Sequence, residues 1–296
     1  MRGILSPMMV AAALVGGCQM TRTATPIAEA AGAPSARVDC GPGIPGMEKV
    51  LKPASFIILG EMHGTQEAPA FTTRLACHAA AAGQSVRVGL EIPVEEPARI
   101  DAVLASADGE TQPLTAGEFW TGAFTDGRSS EAMLQALVRL RELKRSGLPL
   151  QVVAFDTGGK GREEGMSEKL RQERAQAPQD TFIVLTGNLH ARRTVGTPWD
   201  PNRRNMANQL LESEPALVTL DMAYLDGSTW ACMGKEVADC KEHSLRAKYA
   251  EDAAIPSITL RKDGPDAPYD GVYGVGPVHA SPPAAHLKNA SEKTTK

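Results

Sequence analysis

Five short apolar runs, interleaved with helical stretches, constrain this chain more than anything else in it. "SFIILG" (55–60), "SVRVGLEI" (85–92), "LQVVAF" (150–155), "TFIVLTG" (181–187) and "ALVTLD" (216–221) have the length and β-branched content of strands buried on both faces. Between them, residues 67–82 are rich in alanine and end at Gly83. Residues 129–146 place Met133, Leu134, Leu137, Val138, Leu140 and Leu143 at helical spacing ahead of Gly147. Residues 163–176 and 203–212 also read as helices. Strand–helix alternation requires crossover connections, so the expectation is a three-layer α/β/α fold around a mainly parallel sheet. Beyond Tyr224 the pattern gives way to shorter pieces punctuated by Gly and Pro, of which "STWACM" and "SITLRK" fit antiparallel edge strands.

The chain has 296 residues, enough for one large α/β domain with its own core. We place that domain at residues 46–280, after a signal peptide (1–17) and a flexible tether (18–45), and before a disordered polar tail (281–296). The N-terminal "MRGILSPMMVAAALVGGC" joins one Arg to an apolar run and small residues, as in a secretion signal. Its end fits a lipobox, with Cys18 as the lipidated residue; a later ordinary cut within "AEAAGAPSA" is the competing reading. Removing Cys18 leaves Cys40, Cys77, Cys232 and Cys240, an even number for an exported protein. Three pairings are formally possible; Cys232–Cys240 and Cys40–Cys77 is the preferred one, against four buried thiols. The location expected is the bacterial cell envelope, with a lipid anchor as the only membrane contact. A net charge of −4 and 4% aromatic residues give no reason to expect nucleic acid as a partner.

Polar residues gather where the strands end. Glu61 and His63 follow the first run in "LGEMHGTQE", and Glu91 ends the second. Asp156 ends the third, Asn188 and His190 follow the fourth, and Asp221 ends the fifth. Parallel α/β sheets bind ligands at the carboxyl ends of their strands, so these groups share one edge. Each has an ordinary explanation: a lone loop histidine is usually just hydrogen-bonded, and an acid after a strand often caps a helix. Together, Glu61, His63, Glu91 and His190 make either a general base with its orienting partners, or a ligand set for a divalent metal. The His-Glu-x-x-His pattern and the Gly-x-Ser-x-Gly elbow are both missing, which turns the reading away from zincins and serine hydrolases. The glycine-rich "TGGKGREEG" (157–165) lacks the ending of a phosphate loop.

These motifs resemble the superfamily that groups erythromycin esterase-like hydrolases (EreA type), ChaN-type haem-binding lipoproteins and the Tiki/TraB proteins. The resemblance rests on "LGEMHGTQE", "GLEIP", "VVAFD" with "GREEGMSEKL", and "TGNLHARRTVGTP", in that order over residues 50–225. In length and type the chain is nearest the ChaN branch. By position the resemblance implies that His63 is the base, with Glu61 and Glu91 as its partners and His190 supporting or stabilising an oxyanion. It implies that Arg162, with Asp156 and Asn188, contacts substrate, and it sets Met166 and Glu168 at the head of the same helix. It also implies a small-molecule or peptide substrate, or haem, as the partner. Divalent metal and haem are the cofactors it leaves open, the latter through a tyrosine such as Tyr224, Tyr249, Tyr269 or Tyr273. Two departures stand out: the esterase Glu-x-x-His is here Glu-x-His, and the chain lacks room for insertions that build a macrolide-sized cleft.

Overall fold

A computed structural model describes residues 38–285, apart from 108, 262 and 265; the signal, Cys18 and residues 286–296 lie outside the described residues. Eight strands form one sheet: β1 (Phe56–Glu61), β2 (Val86–Pro93), β3 (Leu150–Asp156), β4 (Thr181–Gly187), β5 (Val218–Cys232), β6 (Cys240–Leu245), β7 (Ser257–Leu260) and β8 (Gly271–Val278). Their order is β3-β2-β4-β1-β5-β8-β7, with β6 paired to β5. The pairs among β3, β2, β4, β1, β5 and β8 are parallel, while β7–β8 and β5–β6 are antiparallel.

Every residue of β1 is buried, and the register sets Leu59 beside Leu185 and Glu61 beside Gly187. Alternation along β1 divides its side chains between two cores. Ile57 and Leu59 join the residues of helices Glu67–Ala81 and Glu131–Arg145, whereas Phe56 and Ile58 join those of helices Arg162–Gln176 and Met206–Leu210. The helices that follow β1 and β2 thus cover one face, and those that follow β3 and β4 cover the other. The switch falls where β4 lies between β2 and β1, the position at which α/β sheets open a crevice. Local signals support the long helix Glu131–Arg145: Ser130 accepts a hydrogen bond from the Met133 N–H (3.3 Å), and Lys144 and Arg145 occupy the last turn.

Several expectations needed correction. The helix expected at 203–212 spans only Met206–Leu210. "STWACM" is no separate edge strand but the far half of β5, which runs past the sheet edge and pairs with β6. The tether does not reach residue 45, because Ile44 is buried and Cys40 is bonded to Cys77. The tail does not start at 281: Ser281 and Ala284 are buried, with N–H donors on Gly64 O (2.7 Å) and Ser129 O (3.0 Å). Both preferred disulfides, Cys40–Cys77 and Cys232–Cys240, are formed. Among the described residues no helix is long and apolar enough to cross a membrane.

Candidate active site

The carboxyl ends of β1, β2 and β4 surround a cleft of about 290 Å³. Glu61, His63, Glu91, Arg162, Asn188 and His190 all line it, with Asp126 and Arg128 from the loop after residue 121 and Ala231 and Cys232 from β5. A roomier hollow of about 460 Å³ lies between helices Glu67–Ala81 and Glu131–Arg145, but no histidine among the described residues lines it. Convergent chemistry, rather than size, marks the site.

Glu91 is the hub. The β2–β3 register shifts between Leu90 and Pro93, and an irregularity of this kind re-aims a side chain. The Glu91 carboxylate is 1% exposed, a costly place for a charge without partners. Thr186 Oγ1 (2.6 Å) and the Gly187 N–H (2.7 Å) donate to its Oε2, and Arg162 Nη2 (2.5 Å) donates to its Oε1. Burial pushes its pKa up, but His63, His190 and Arg162 outweigh that and hold it well below the usual carboxylate range.

The two histidines are held in opposite ways. His63 Nδ1 lies 2.9 Å from Glu61 Oε1, and its Nε2 lies 3.5 Å from Glu91 Oε2. Both ring nitrogens face carboxylates, so the ring is kept as imidazolium. Burial opposes the charge, but Glu91 and Glu61 prevail and raise the pKa to about 10. His190 Nδ1 faces Glu163 Oε1 (2.7 Å), and its Nε2 lies 3.4 Å from Arg162 Nη1. A carboxylate only accepts, so Nδ1 is the ring nitrogen that carries a proton toward Glu163. Glu163 also accepts from Arg203 and from the Met206 N–H (2.8 Å). Burial works against its charge, yet His190 and Arg203 hold its pKa below the usual range.

Backbone closeness is part of the design. A Cβ on Gly187 would sit 2.8 Å from His63 Nε2, so only glycine lets β4 approach the imidazole. Gly64 has φ +72° and packs against Trp230 O, where any side chain would collide. The extension of β5 clamps the same turn: Thr229 Oγ1 donates to His63 O (2.5 Å) and the Trp230 N–H to Gly64 O (3.0 Å).

Not every residue expected in the site works on the cleft directly. Asp156 is buried and occupied by Arg162 (Nε 2.6 Å), Arg128 (Nη1 2.5 Å) and the Gly158 N–H (2.9 Å), so it holds the arginines in place. Asn188 lines the cleft, and its main chain is fixed by Glu61 O and the Tyr269 hydroxyl. Asp221 lies apart, paired with Lys248 Nζ at 2.6 Å, and burial raises its pKa despite that partner. Met166 is a core residue, and Glu168 is an exposed partner of Arg171. Arg128, Asp126 and Glu163 were not singled out from sequence. Glu163 lies within "GREEGMSEKL", and its only signal in the sequence is adjacency to Arg162.

Metal and haem fit poorly. Among the described residues no group of three or more His, Cys, Asp or Glu side chains is disposed to hold a metal ion. Arg162 and Arg128 already bring positive charge to Glu91 and Asp156. None of the four tyrosines lines the cleft: Tyr273 is fully buried with its hydroxyl toward Gly60 O (3.3 Å), and Tyr269 lies behind Asn188. Burial raises the pKa of all four phenols, which disfavours a phenolate ligand.

No family model matches the sequence, and no curated protein matches it. Solved structures do. An erythromycin esterase, a mutant of EreC in its open conformation, aligns with a TM-score of 0.56 at 11% identity, covering 80% of this chain and 89% of that one. A succinoglycan biosynthesis protein aligns with a TM-score of 0.57 at 9% identity, covering 79% of this chain and 91% of that one. The fold of this chain is therefore the erythromycin esterase-like α/β fold that its motifs resemble.

Proposed function

We infer that the protein is a hydrolase that activates water on an ester or amide, with Glu61 and His63 as its proton-transfer pair. The observation that carries this reading is the His63 ring held between Glu61 and Glu91 on the cleft wall. Glu61 orients the ring through Nδ1, which leaves Nε2 to exchange the working proton. With a pKa of about 10, only about one molecule in 1,000 carries the free base at pH 7. His63 is thus a strong base but a scarce one, and turnover is expected to climb with pH. Glu91 steadies the imidazolium that forms when water is deprotonated. Arg128 and Arg162, fixed by Asp156, supply positive charge for a carbonyl oxygen on which negative charge develops. His190 lies beside Arg162, with Glu163 setting its tautomer.

The likeness to an erythromycin esterase structure supports this reading at the level of fold. Export as a lipoprotein anchored through Cys18, with a small molecule or peptide as substrate, completes the proposal; the two disulfides support an oxidising location. The test is a panel of activated esters and peptides with wild type, His63→Ala and Glu91→Gln. Turnover that both substitutions leave intact would remove the assignment.

A further inference from the structure

We propose that the cleft takes esters or amides of an apolar acyl chain, gripped by an apolar rim above the charged floor. This rests on the hydrolase reading and names its substrate class. Among the described residues seven large hydrophobic side chains are exposed, and two of them, Phe124 and Met233, stand within two residues along the chain of ones that line the cleft. Phe124 (56% exposed) immediately precedes Thr125 and Asp126, while Met233 (75%) follows Cys232; Asp126 and Cys232 both line the cleft. A hydrogen bond from Trp230 Nε1 to Thr125 O (3.1 Å) ties these two segments together. Val237 (51%) belongs to the same β5–β6 connection, which the Cys232–Cys240 disulfide closes.

Phe124 and Met233, exposed on two segments tied together beside a polar cleft, differ from apolar residues scattered singly over a surface. The cleft, at about 290 Å³, lies at the low end for a ligand pocket. The end of an acyl chain that outgrows the cleft extends toward Phe124 and Met233, where each methylene removed from water favours binding. The floor offers guanidinium and imidazolium groups to a carbonyl, and the rim offers contact to a hydrocarbon. An amphiphile joined through an ester or amide matches both parts at once.

The experiment compares acetyl and octanoyl esters of p-nitrophenol on wild type, Phe124→Ser, Met233→Ser and the control Ile255→Ser, whose exposed side chain stands ahead of β7 away from these segments. Calorimetric titration with decanoate and acetate runs in parallel. Wild type is expected to favour the octanoyl ester by about tenfold in kcat/KM. The two rim variants should bring that ratio toward one, and Ile255→Ser should not change it. Ester cleavage without chain-length preference overturns the rim and leaves the hydrolase reading standing. No cleavage, but decanoate binding that the rim variants weaken, leaves the rim standing and overturns the hydrolase. Decanoate binding that is absent, or equal in all variants, overturns the rim whatever the esters show.

Discussion

At the amino end of the sheet, Arg87 on β2 donates to Glu173 (2.7 Å) and Asp180 (3.0 Å), and Lys169 reaches Glu173 (2.6 Å). At the carboxyl end, Arg162 and Arg128 bind Glu91 and Asp156 over similar distances. Each cluster borders a hollow, of about 240 Å³ and about 290 Å³. The charges are alike, but their surroundings differ. Glu173 and Asp180 keep 13% and 21% of their side-chain surface, whereas Glu91 keeps 1%. Among the described residues no histidine lines the amino-end hollow, while two line the carboxyl-end cleft. Imidazole is the side chain that trades protons near neutral pH. Arginine–carboxylate pairing alone makes a brace; burying a carboxylate beside two histidines makes a site that can move a proton.

The comparison breaks most directly at His63. His63→Ala should lower ester turnover by about 10²–10⁴-fold, the range of a lost general base, while Arg87→Ala should leave turnover within about twofold, since it touches nothing in the cleft. Steady-state kinetics decide, and equal losses would mean that the two ends do not differ in function.

The pH profile comes next. With His63 as base, kcat/KM should climb about tenfold per unit from pH 7 and level off near 10, where its raised pKa lies. A rate that is level through neutral pH and declines only above about 10 would instead make the imidazolium an acid. Stability carries the same signature with a defined sign. Because the folded pKa of His63 is raised, its contribution is full below about 6.5 and is lost as pH rises toward about 10. Glu91 is depressed, so its contribution is present above about 4.5 and is lost as pH falls. Thermal melts of His63→Gln should lack the alkaline loss that wild type shows.

Arginine removal separates the two ends by stability. Arg162→Ala leaves Glu91 short of its strongest donor and should cost about 2–3 kcal/mol, less than a fully buried pair because the guanidinium is 27% exposed. Arg87→Ala should cost about 1 kcal/mol, as its carboxylates keep some contact with water. Denaturant midpoints measure both, and similar losses would place the two clusters in one class.

The smallest effect is expected at Glu163. Glu163→Gln keeps the shape but weakens the hold on the His190 tautomer, with a loss of about tenfold in kcat and little change in KM. A loss confined to stability would make Glu163 a brace like Glu173.

The periodic parts of the molecule were legible in its residues. β4 spans residues 181–187 as expected, β3 runs one residue further and β1 is displaced by one residue, because a strand buried on both faces must be apolar throughout. Strand–helix alternation places Glu61, His63, Glu91 and His190 toward one edge, and all four line the cleft. The C-terminal pieces were less legible, since β6 ("CKEHSL") is largely polar and β8 ("GVYGVGPV") is broken by three glycines and a proline. The same holds for Arg128 and Glu163: nothing about an arginine in "TDGRSS" or a glutamate in "GREEG" says what stands across the sheet.

Local pattern thus determined which segments become strands and which end of them carries the polar groups, because strand and helix periods depend on neighbours in the chain. Tertiary structure alone decided which carboxylate meets which ring. Register and crossover direction set His63 between two acceptors and His190 between an acceptor and a donor. Two histidines of the same chemistry thus meet different partners, through contacts spanning 2 residues in one case and 27 or more in the others. Burial then amplifies each contact, since a charge shielded from water answers mainly to the groups packed against it.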